Sequence, residues 1–365
     1  MTLARGPRPG PAGDLAWLDP SALDPGALDP GALDPGRLDP GPEAVHGSVL
    51  DTVGATPLVE LGRLFARPGV QVLAKLELMN PGGSMKDRSA RYIVASGLAD
   101  GSIPPGSRLV ESSSGNFGVA VAMAAQLHGL SFTCVVDRNA SAANKTIMRG
   151  LGADVEVVDE PDEAGGYLHT RLARVHEILA TTADTVWINQ YANERNWLAH
   201  YHGTGAELVD QLLVPPTHLV GAVSTTGSLL GCARRLREVC DPLQVVAADA
   251  VGSVIFGGRG GYRELPGLGS SRVPELHSPD EIDRVEHVDD ATAAEACREL
   301  LATEAIFAGG STGAVVTAVA RLLDDVVPPA RIVAIFPDRG DRYLDRVYDD
   351  AWLDRARARR VALPR

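Results

Sequence analysis

Asn80-Pro-Gly-Gly-Ser-Met-Lys-Asp-Arg-Ser-Ala90 reads as the junction of a strand with a helix. Pro81, Gly82 and Gly83 break the strand before them, and a helix begins near Ser84, which puts Lys86 one turn inside it. Ligands of α/β proteins gather at such junctions, outside the carboxyl ends of the strands. An ammonium group prefers solvent and becomes nucleophilic only when desolvated or set beside other cations. By itself the stretch favours a surface lysine on a glycine-rich turn. The rest of the chain argues for an amine that carries chemistry.

Outward from Lys86, strands and helices alternate. Val70 to Glu77 reads as a strand, and the Lys86 helix runs to Gly101. Strand Arg108 to Glu111, helix Asn116 to His128, strand Phe132 to Val136, helix Ala142 to Leu151, strand Asp154 to Val158 and a helix from about Gly165 to Thr181 follow. That is the pattern of a doubly wound parallel sheet. After strand Val186 to Ile188 a second lobe repeats it. Helix Trp197 to Leu213, strand His218 to Val223, helix Ser228 to Cys240 and strand Gln244 to Asp249 lead into a glycine-rich loop, Gly252 to Ser271. Helices around Thr292 to Ala302 and Thr312 to Leu323 flank the last strand, Ile332 to Phe336. The expected division is a lobe over 44–195, a lobe over 196–353 and a basic tail over 354–365, with a ligand cleft between the lobes.

Composition narrows the partners. The 365 residues suffice for two packed lobes. With 47 acidic against 34 basic residues the net charge is −13, which argues against nucleic acid or an anionic membrane as partner. An anionic ligand must then be held locally. No apolar run approaches the ~20 residues of a membrane span, and Met1 to Asp19 lacks the apolar core of a signal peptide, so the expected location is cytoplasmic. Cys134, Cys232, Cys240 and Cys297 form no CxxC pair and read as reduced packing residues. Leu-Asp-Pro recurs from Leu18 to Leu38 with a five-residue period. Such a segment buries too little apolar surface to offset its ordering entropy, so residues 1–43 are expected to be a disordered extension.

Three further loops lead into helices, the first two where a strand turns into a helix. Glu111-Ser-Ser-Ser-Gly-Asn116 is an anion site by its amides and hydroxyls, or simply a serine-rich helix cap. Ser224-Thr-Thr-Gly-Ser228 can approach a phosphate closely through its central glycine. Ala308-Gly-Gly-Ser-Thr-Gly-Ala314 sets Ser311 before a helix, as a ligand contact or as a cap. The nine histidines yield no ligand cluster: His200 and His202, at i and i+2, face different sides of a helix, and no metal site is expected. Arg355 to Arg360 reads as a solvated helix end.

Taken in order from about Thr52 to Leu353, these motifs resemble the fold-type II pyridoxal phosphate (PLP) enzymes, the group of cysteine synthase and the serine and threonine dehydratases. The resemblance implies a tryptophan synthase β-like α/β fold of two doubly wound open-sheet lobes with PLP in the cleft, and a homodimer acting on small amino-acid substrates. It makes Lys86 the Schiff-base lysine and assigns the substrate carboxylate to Ser113, Ser114 and Gly115. Asn116 would touch the cofactor's 3-hydroxyl. Ser224, Thr225, Thr226, Gly227 and Ser228 would hold its phosphate, and Ser311 would meet its pyridine nitrogen. A hydroxyl partner there need not keep that nitrogen protonated, which favours β-elimination and replacement over transamination. Asn189-Gln-Tyr-Ala-Asn193 and Ala199-His-Tyr-His-Gly-Thr-Gly-Ala-Glu207 are similar to cysteine synthase stretches and turn Tyr191 toward the cleft, although a buried tyrosine is more often a packed ring.

A narrower branch is also implied. Ser112 with Phe117, the Ser224 loop, Asp249 to Gly257, Leu265 to Glu275 and Phe336-Pro-Asp-Arg-Gly-Asp-Arg-Tyr343 look like the N-(2-amino-2-carboxyethyl)-L-glutamate synthases. These join O-phospho-L-serine to L-glutamate on the way to 2,3-diaminopropionate for siderophores and peptide antibiotics. Lys86 would then remove the α-proton, phosphate would leave, the glutamate amine would add at the β-carbon, and Lys86 would return a proton. Ser224, Tyr191 and Arg171 are the candidate contacts to phosphate or glutamate. Cysteine synthase, a serine or threonine dehydratase, and a catalytically silent binding module remain as alternatives; an intact Lys86 argues against the last.

Overall fold

A computed structural model describes residues 45–161 and 167–362. The repeat of residues 1–43 and the start of the helix expected from Gly165 lie outside the described residues. In chain order the elements are β1 (Leu58–Glu60), β2 (Val70–Lys75), α1 (Lys86–Ala99), β3 (Arg108–Ser112), α2 (Asn116–Leu127), β4 (Ser131–Asp137), α3 (Ala142–Gly150), β5 (Asp154–Val158), α4 (Leu168–Thr181) and β6 (Thr185–Trp187). There follow α5 (Arg195–His200), α6 (Ala206–Gln211), β7 (His218–Ala222), α7 (Gly227–Arg237), β8 (Gln244–Ala250), β9 (Arg284–Val288), α8 (Asp290–Glu304), α9 (Gly310–Asp325), β10 (Ala330–Ile335) and α10 (Asp350–Ala362).

The strands form two sheets. One is four-stranded, β5-β4-β3-β6, and wholly parallel; the other is six-stranded, β1-β2-β10-β7-β8-β9, parallel except for β1 against β2. Ala334 of β10 lies opposite both Ala74 of β2 and Val220 of β7, so the carboxyl ends of these strands open on the same side. The loops leaving them carry Lys86, Asp338 and Ser224. This α/β architecture of open, mostly parallel sheets is the fold expected.

Several boundaries move. The division at residue 195 is not that of the sheets, because β1 and β2 belong to the larger one: β2 is paired by a strand some 260 residues away in sequence. Lys86 opens α1 instead of lying one turn inside it. The helix expected over Trp197 to Leu213 is interrupted by a π-helical turn at Tyr201–Gly205. Strands β1 and β9 went unread because one is three residues long and the other, Arg-Val-Glu-His-Val, is an edge strand with polar residues on its exposed face. The boundary at 353 falls inside α10, which buries Trp352, Leu353 and Ala356. Part of this basic end is paired as well as solvated: Arg357 and Arg360 reach Glu295 at 2.7 and 3.0 Å.

Helix α9 crosses the centre of the larger core, apolar nearly all round. Its approach to α8 depends on Gly313, where a Cβ would fall 1.8 Å from the Ala293 carbonyl oxygen. Backbone cannot give way there as a side chain could. Gly313→Ala is expected to destabilise the protein by about 3 kcal/mol, at the upper end for overpacking, read as a lower denaturation midpoint.

A buried ionic network ties α1 to β2 and α6. Lys75 Nζ, fully buried, donates to Glu207 Oε2 at 2.5 Å, Thr56 O at 2.7 Å and Gln211 Oε1 at 2.9 Å. Arg88 grips Glu77 through Nε and Nη2 (2.6 and 2.7 Å) and Glu207 through Nη1 and Nη2 (2.6 and 2.8 Å). Burial opposes charge on Glu207, but the hydrogen bonds and charge of Arg88, with Lys75, hold its carboxyl at about 2. The four cysteines are free and buried, as read from their surroundings. His200 is a core histidine, its Nδ1 3.0 Å from Thr204 Oγ1, while His202 is exposed.

Candidate active site

The turn before Lys86 is held from both sides. Asn80 Nδ2 donates to the Glu77 carbonyl at 2.7 Å, and Gly83 N donates to Asn80 O at 2.8 Å. Gly83 takes a φ of +82°, which a residue with a Cβ rarely adopts. Met85 N donates to Pro337 O (2.8 Å) and Arg339 N to Gly83 O (3.1 Å), so the turn is stitched to the segment after β10. Lys86 is thereby brought near Asp338. Burial lowers its pKa, and the Asp338 charge works in the opposite direction. Desolvation thus favours the neutral amine, the form that acts as base and nucleophile.

The second loop leaves β3 in the other sheet. Ser113 Oγ accepts from Gly118 N at 3.1 Å, so its hydroxyl serves as the helix cap that sequence allowed. Ser114 Oγ donates to Asp137 Oδ2 at 2.9 Å and accepts from Arg171 Nη1 at 2.7 Å; Arg171 also lies 3.3 Å from Asp137. Arg171 thus stands against the loop assigned to the substrate carboxylate, with Nε buried and without a partner among the described residues. Glu111, buried beneath the loop, is pushed up to about 7 by desolvation, against amides donated by Gln190 and Ser112. Asn116 Nδ2 donates to Asp338 Oδ2 at 2.8 Å, its Oδ1 accepts from Arg342 Nη1, and Arg342 Nη2 reaches the Gly82 carbonyl at 2.5 Å. These bonds join the loops of the two sheets.

At the end of β7, Thr226 turns the chain through a left-handed conformation, φ +63°, and α7 starts at Gly227. The first-turn amides of a helix have no acceptor within it and attract an anion. Thr225, Thr226, Gly227 and Ser228 are buried, and Thr225 Oγ1 accepts from Asn196 Nδ2 at 3.0 Å. Ser224 is half-buried; among the described residues no hydrogen bond ties it to Tyr191 or Arg171. Ser311, at the start of α9, donates its hydroxyl to Asp338 Oδ1 at 3.1 Å. The loop after β8 runs along this edge: Gly267 lies by Ser311, with its ideal Cβ position 4.0 Å from Oγ, and Gly269 N donates to Val223 O at 2.7 Å. Farther on, Arg272 stacks over the half-buried Tyr191 ring, 4.4 Å from its centre, and Leu276 N donates to Tyr191 O at 3.1 Å.

Lys86, Asn116 and Ser311 therefore meet around Asp338, whereas Arg171 and Tyr191 occupy two other parts of the rim. Sequence reasoning missed Asp338, Arg342, Tyr343 and Arg272. All four lie in motifs noted as family marks, but nothing local told which of several charged side chains turns inward.

The arrangement fits PLP on its own terms. A pKa-lowered amine opens one helix, the free amides of another face the same edge, and an amide and a hydroxyl converge between them. Comparison with solved structures points the same way. The chain is similar to the O-acetylserine dependent cystathionine β-synthase of Helicobacter pylori (29% identity, TM-score 0.78, covering 83% of this chain and 98% of that one). It is similar also to the cysteine synthase of Entamoeba histolytica (27%, 0.78, 87% and 97%) and to O-ureido-L-serine synthase (31%, 0.75, 85% and 100%). The family model described as pyridoxal-phosphate dependent enzyme matches residues 49–338, which include both sheets and every candidate cofactor loop. The chain belongs to the pyridoxal-phosphate dependent enzyme family, with a fold-type II architecture of the cysteine synthase type and pyridoxal 5′-phosphate as its cofactor.

Proposed function

We propose that the protein catalyses β-replacement between O-phospho-L-serine and L-glutamate, releasing phosphate and forming N-(2-amino-2-carboxyethyl)-L-glutamate, a precursor of 2,3-diaminopropionate for siderophore or peptide antibiotic biosynthesis. PLP supplies the electron sink for the carbanion left when the donor's α-proton departs. The observation that supports the substrate choice is two guanidinium groups at separate parts of the rim, one beside Ser114 and one over Tyr191. Arg171 lies 2.7 Å from Ser114 Oγ and Arg272 lies over the Tyr191 ring. A phosphorylated donor and a dicarboxylate acceptor bring several negative charges into an acidic protein. Arg171 and Arg272 would meet them while sharing their present partners, Asp137 at 3.3 Å and Glu275 at 2.9 Å; acetate and sulfide bring less charge.

In this reading Lys86 Nζ takes the α-proton of the donor and later returns one at the same carbon. The amides of the loop from Ser113 to Gly115 orient the donor carboxylate, the Ser114 hydroxyl proton being held by Asp137. Ser113 keeps its hydroxyl proton to donate, since its oxygen only accepts from Gly118 N. Arg171 stabilises the departing phosphate, and Tyr191 with Arg272 seats the acceptor carboxylates. The electron pair left at the α-carbon expels phosphate by breaking the C–O bond at the β-carbon; the glutamate amine then forms the new C–N bond there and gives up a proton. A homodimer in the cytoplasm belongs to the same reading; no helix among the described residues is long and apolar enough to cross a membrane.

Likeness to cysteine synthase and O-ureido-L-serine synthase favours a second reading, with sulfide or another small nucleophile as acceptor. Steady-state assays crossing O-phosphoserine and O-acetylserine with glutamate and sulfide separate the two. The expected result is highest kcat/KM for the phosphoserine and glutamate pair; preference for sulfide would replace the first reading by the second.

Ser224 offers a finer test, because cysteine synthases tend to have glycine where this chain has a hydroxyl at the head of the phosphate loop. Ser224→Gly is expected to lower kcat/KM for phosphoserine and glutamate by about ten- to a hundredfold, as for one lost hydrogen bond to a charged group. Cofactor retention should persist, since the amides opening α7 remain. An equal loss with every substrate, in step with loss of PLP, would make Ser224 a cofactor contact only.

A further inference from the structure

Asn196, at the start of α5, lies buried between the Tyr191 rim and the loop that opens α7. Its Nδ2 donates to the Gln190 carbonyl at 2.8 Å and to Thr225 Oγ1 at 3.0 Å. The fit against α7 is close, since a Cβ on Gly227 would lie between 3.1 and 3.3 Å from the Asn196 amide atoms. The turn before α5 sets its backbone. Asn189 takes a φ of +49°, Asn193 Nδ2 donates to Ile188 O at 3.0 Å, and Asn196 N donates to Asn193 O at 2.9 Å. On the other side Gln190 N donates to Glu111 Oε2 at 3.2 Å, and Glu111 Oε1 accepts from Ser112 N at 2.9 Å, just ahead of the donor loop. A buried chain of polar contacts therefore runs from Glu111 through Gln190 and Asn196 to Thr225. It starts in the loops of the four-stranded sheet and ends in a loop of the six-stranded one.

The direction of both Asn196 bonds is fixed by chemistry. A backbone carbonyl only accepts, so the atom beside Gln190 O is the amide nitrogen; turned over, the side chain would set oxygen against oxygen. An amide N–H only donates, so Thr225 Oγ1 accepts here and keeps its own proton. Among the described residues no acceptor takes that proton. The hydroxyl is buried at the opening of α7, where the first amides of the helix attract an anion. One side-chain nitrogen thus spends its two hydrogens on two separate parts of the site.

We propose that Asn196 is a positioning residue that ties the phosphate loop to the Tyr191 rim: one amide hydrogen leaves the Thr225 hydroxyl free to donate to the anion at α7, and the other holds the Gln190 peptide that carries Tyr191. The inference rests on the reading that residues 224–228 meet the cofactor phosphate and that Tyr191 faces the acceptor, not on which acceptor is used. An asparagine that serves the fold alone would act on stability and on every ligand alike. Asn196 instead acts on two ligands, and on the first of them only through Thr225.

The test is a double-mutant cycle on PLP affinity, measured by equilibrating the holoenzyme with graded PLP concentrations and reading the near-visible absorption. Thr225→Val keeps the shape and loses the hydroxyl; it is expected to weaken PLP about ten- to a hundredfold, as for one hydrogen bond to a charged group. Thr225→Ser should stay near wild type. Asn196→Ala is expected to weaken PLP about three- to tenfold alone, as for one neutral hydrogen bond, and not further in the Thr225→Val background, because residues in one network are not additive. An equal loss in both backgrounds, or none in either, overturns the proposal. No substrate enters this cycle, so its outcome stands apart from the choice between glutamate and sulfide. The other arm is read at saturating PLP with the acceptor that the crossed assays select. Asn196→Ala should raise the acceptor KM about tenfold, on the scale of one lost buried hydrogen bond, with kcat little changed; an unchanged acceptor KM overturns the coupling. If Asn196→Ala does not fold, Asn196→Asp decides, because it keeps the size and removes the amide hydrogens. Wild-type PLP affinity and acceptor KM in that variant overturn the proposal.

Discussion

Lys86→Ala is expected to lose the near-visible absorption of covalently held cofactor and to lower turnover by at least about 10³-fold. General acid and base catalysis by one positioned group contributes about 10²–10⁴, and here the same amine also carries the cofactor. The geometry leaves no ready substitute. Lys75 is fully buried and committed to Glu207, Thr56 and Gln211. The fold should be little affected, because Lys86 sits at the first position of α1, where side chains cost a helix least. Spectra and single-turnover rates of the purified variant check this, and retained turnover would sink the assignment.

Arg88→Leu is expected to have the largest effect on stability, about 3–5 kcal/mol. Removing one partner of a buried ion pair leaves the other charges unpaired in a medium that cannot solvate them. Here Glu77, with no exposed side-chain surface, loses its ion-pair partner, and Glu207, almost as buried, keeps only Lys75. A lower denaturant midpoint at unchanged slope is the measurement. Its pH dependence follows from Glu207, whose carboxyl is lowered in the folded protein from 4.5 to about 2. A group depressed by folding contributes fully above its unfolded value and loses that contribution as pH falls through the folded one. The gap between wild type and Arg88→Leu should therefore be complete above pH 4.5 and narrow toward pH 2. A gap independent of pH would mean that Arg88 stabilises by packing alone. Because the network pins α1, the variant should also hold PLP less firmly.

The sequence by itself determined whatever depends on near neighbours. Alternating strand and helix texture predicts parallel sheets, and β7, β8 and β10 lie where apolar runs put them. Pro81, Gly82 and Gly83 announce a turn, and order along the chain identifies the loops that follow β3, β7 and α8. What only the tertiary structure decided depends on residues hundreds of positions apart. Strand β2 joins β10 and not the sheet of β3, since its apolar faces accept either neighbour and only the packed whole selects one. Arg88 and Lys75 read as ordinary charges until Glu77 and Glu207 close around them. Asp338, one of three acidic residues from Phe336 through Asp345, is set apart from Asp341 by burial, with Asn116, Ser311 and Tyr343 converging on it. A charged side chain carries no local signal of its fate, because desolvating it is tolerable only where distant groups supply the hydrogen bonds that replace water.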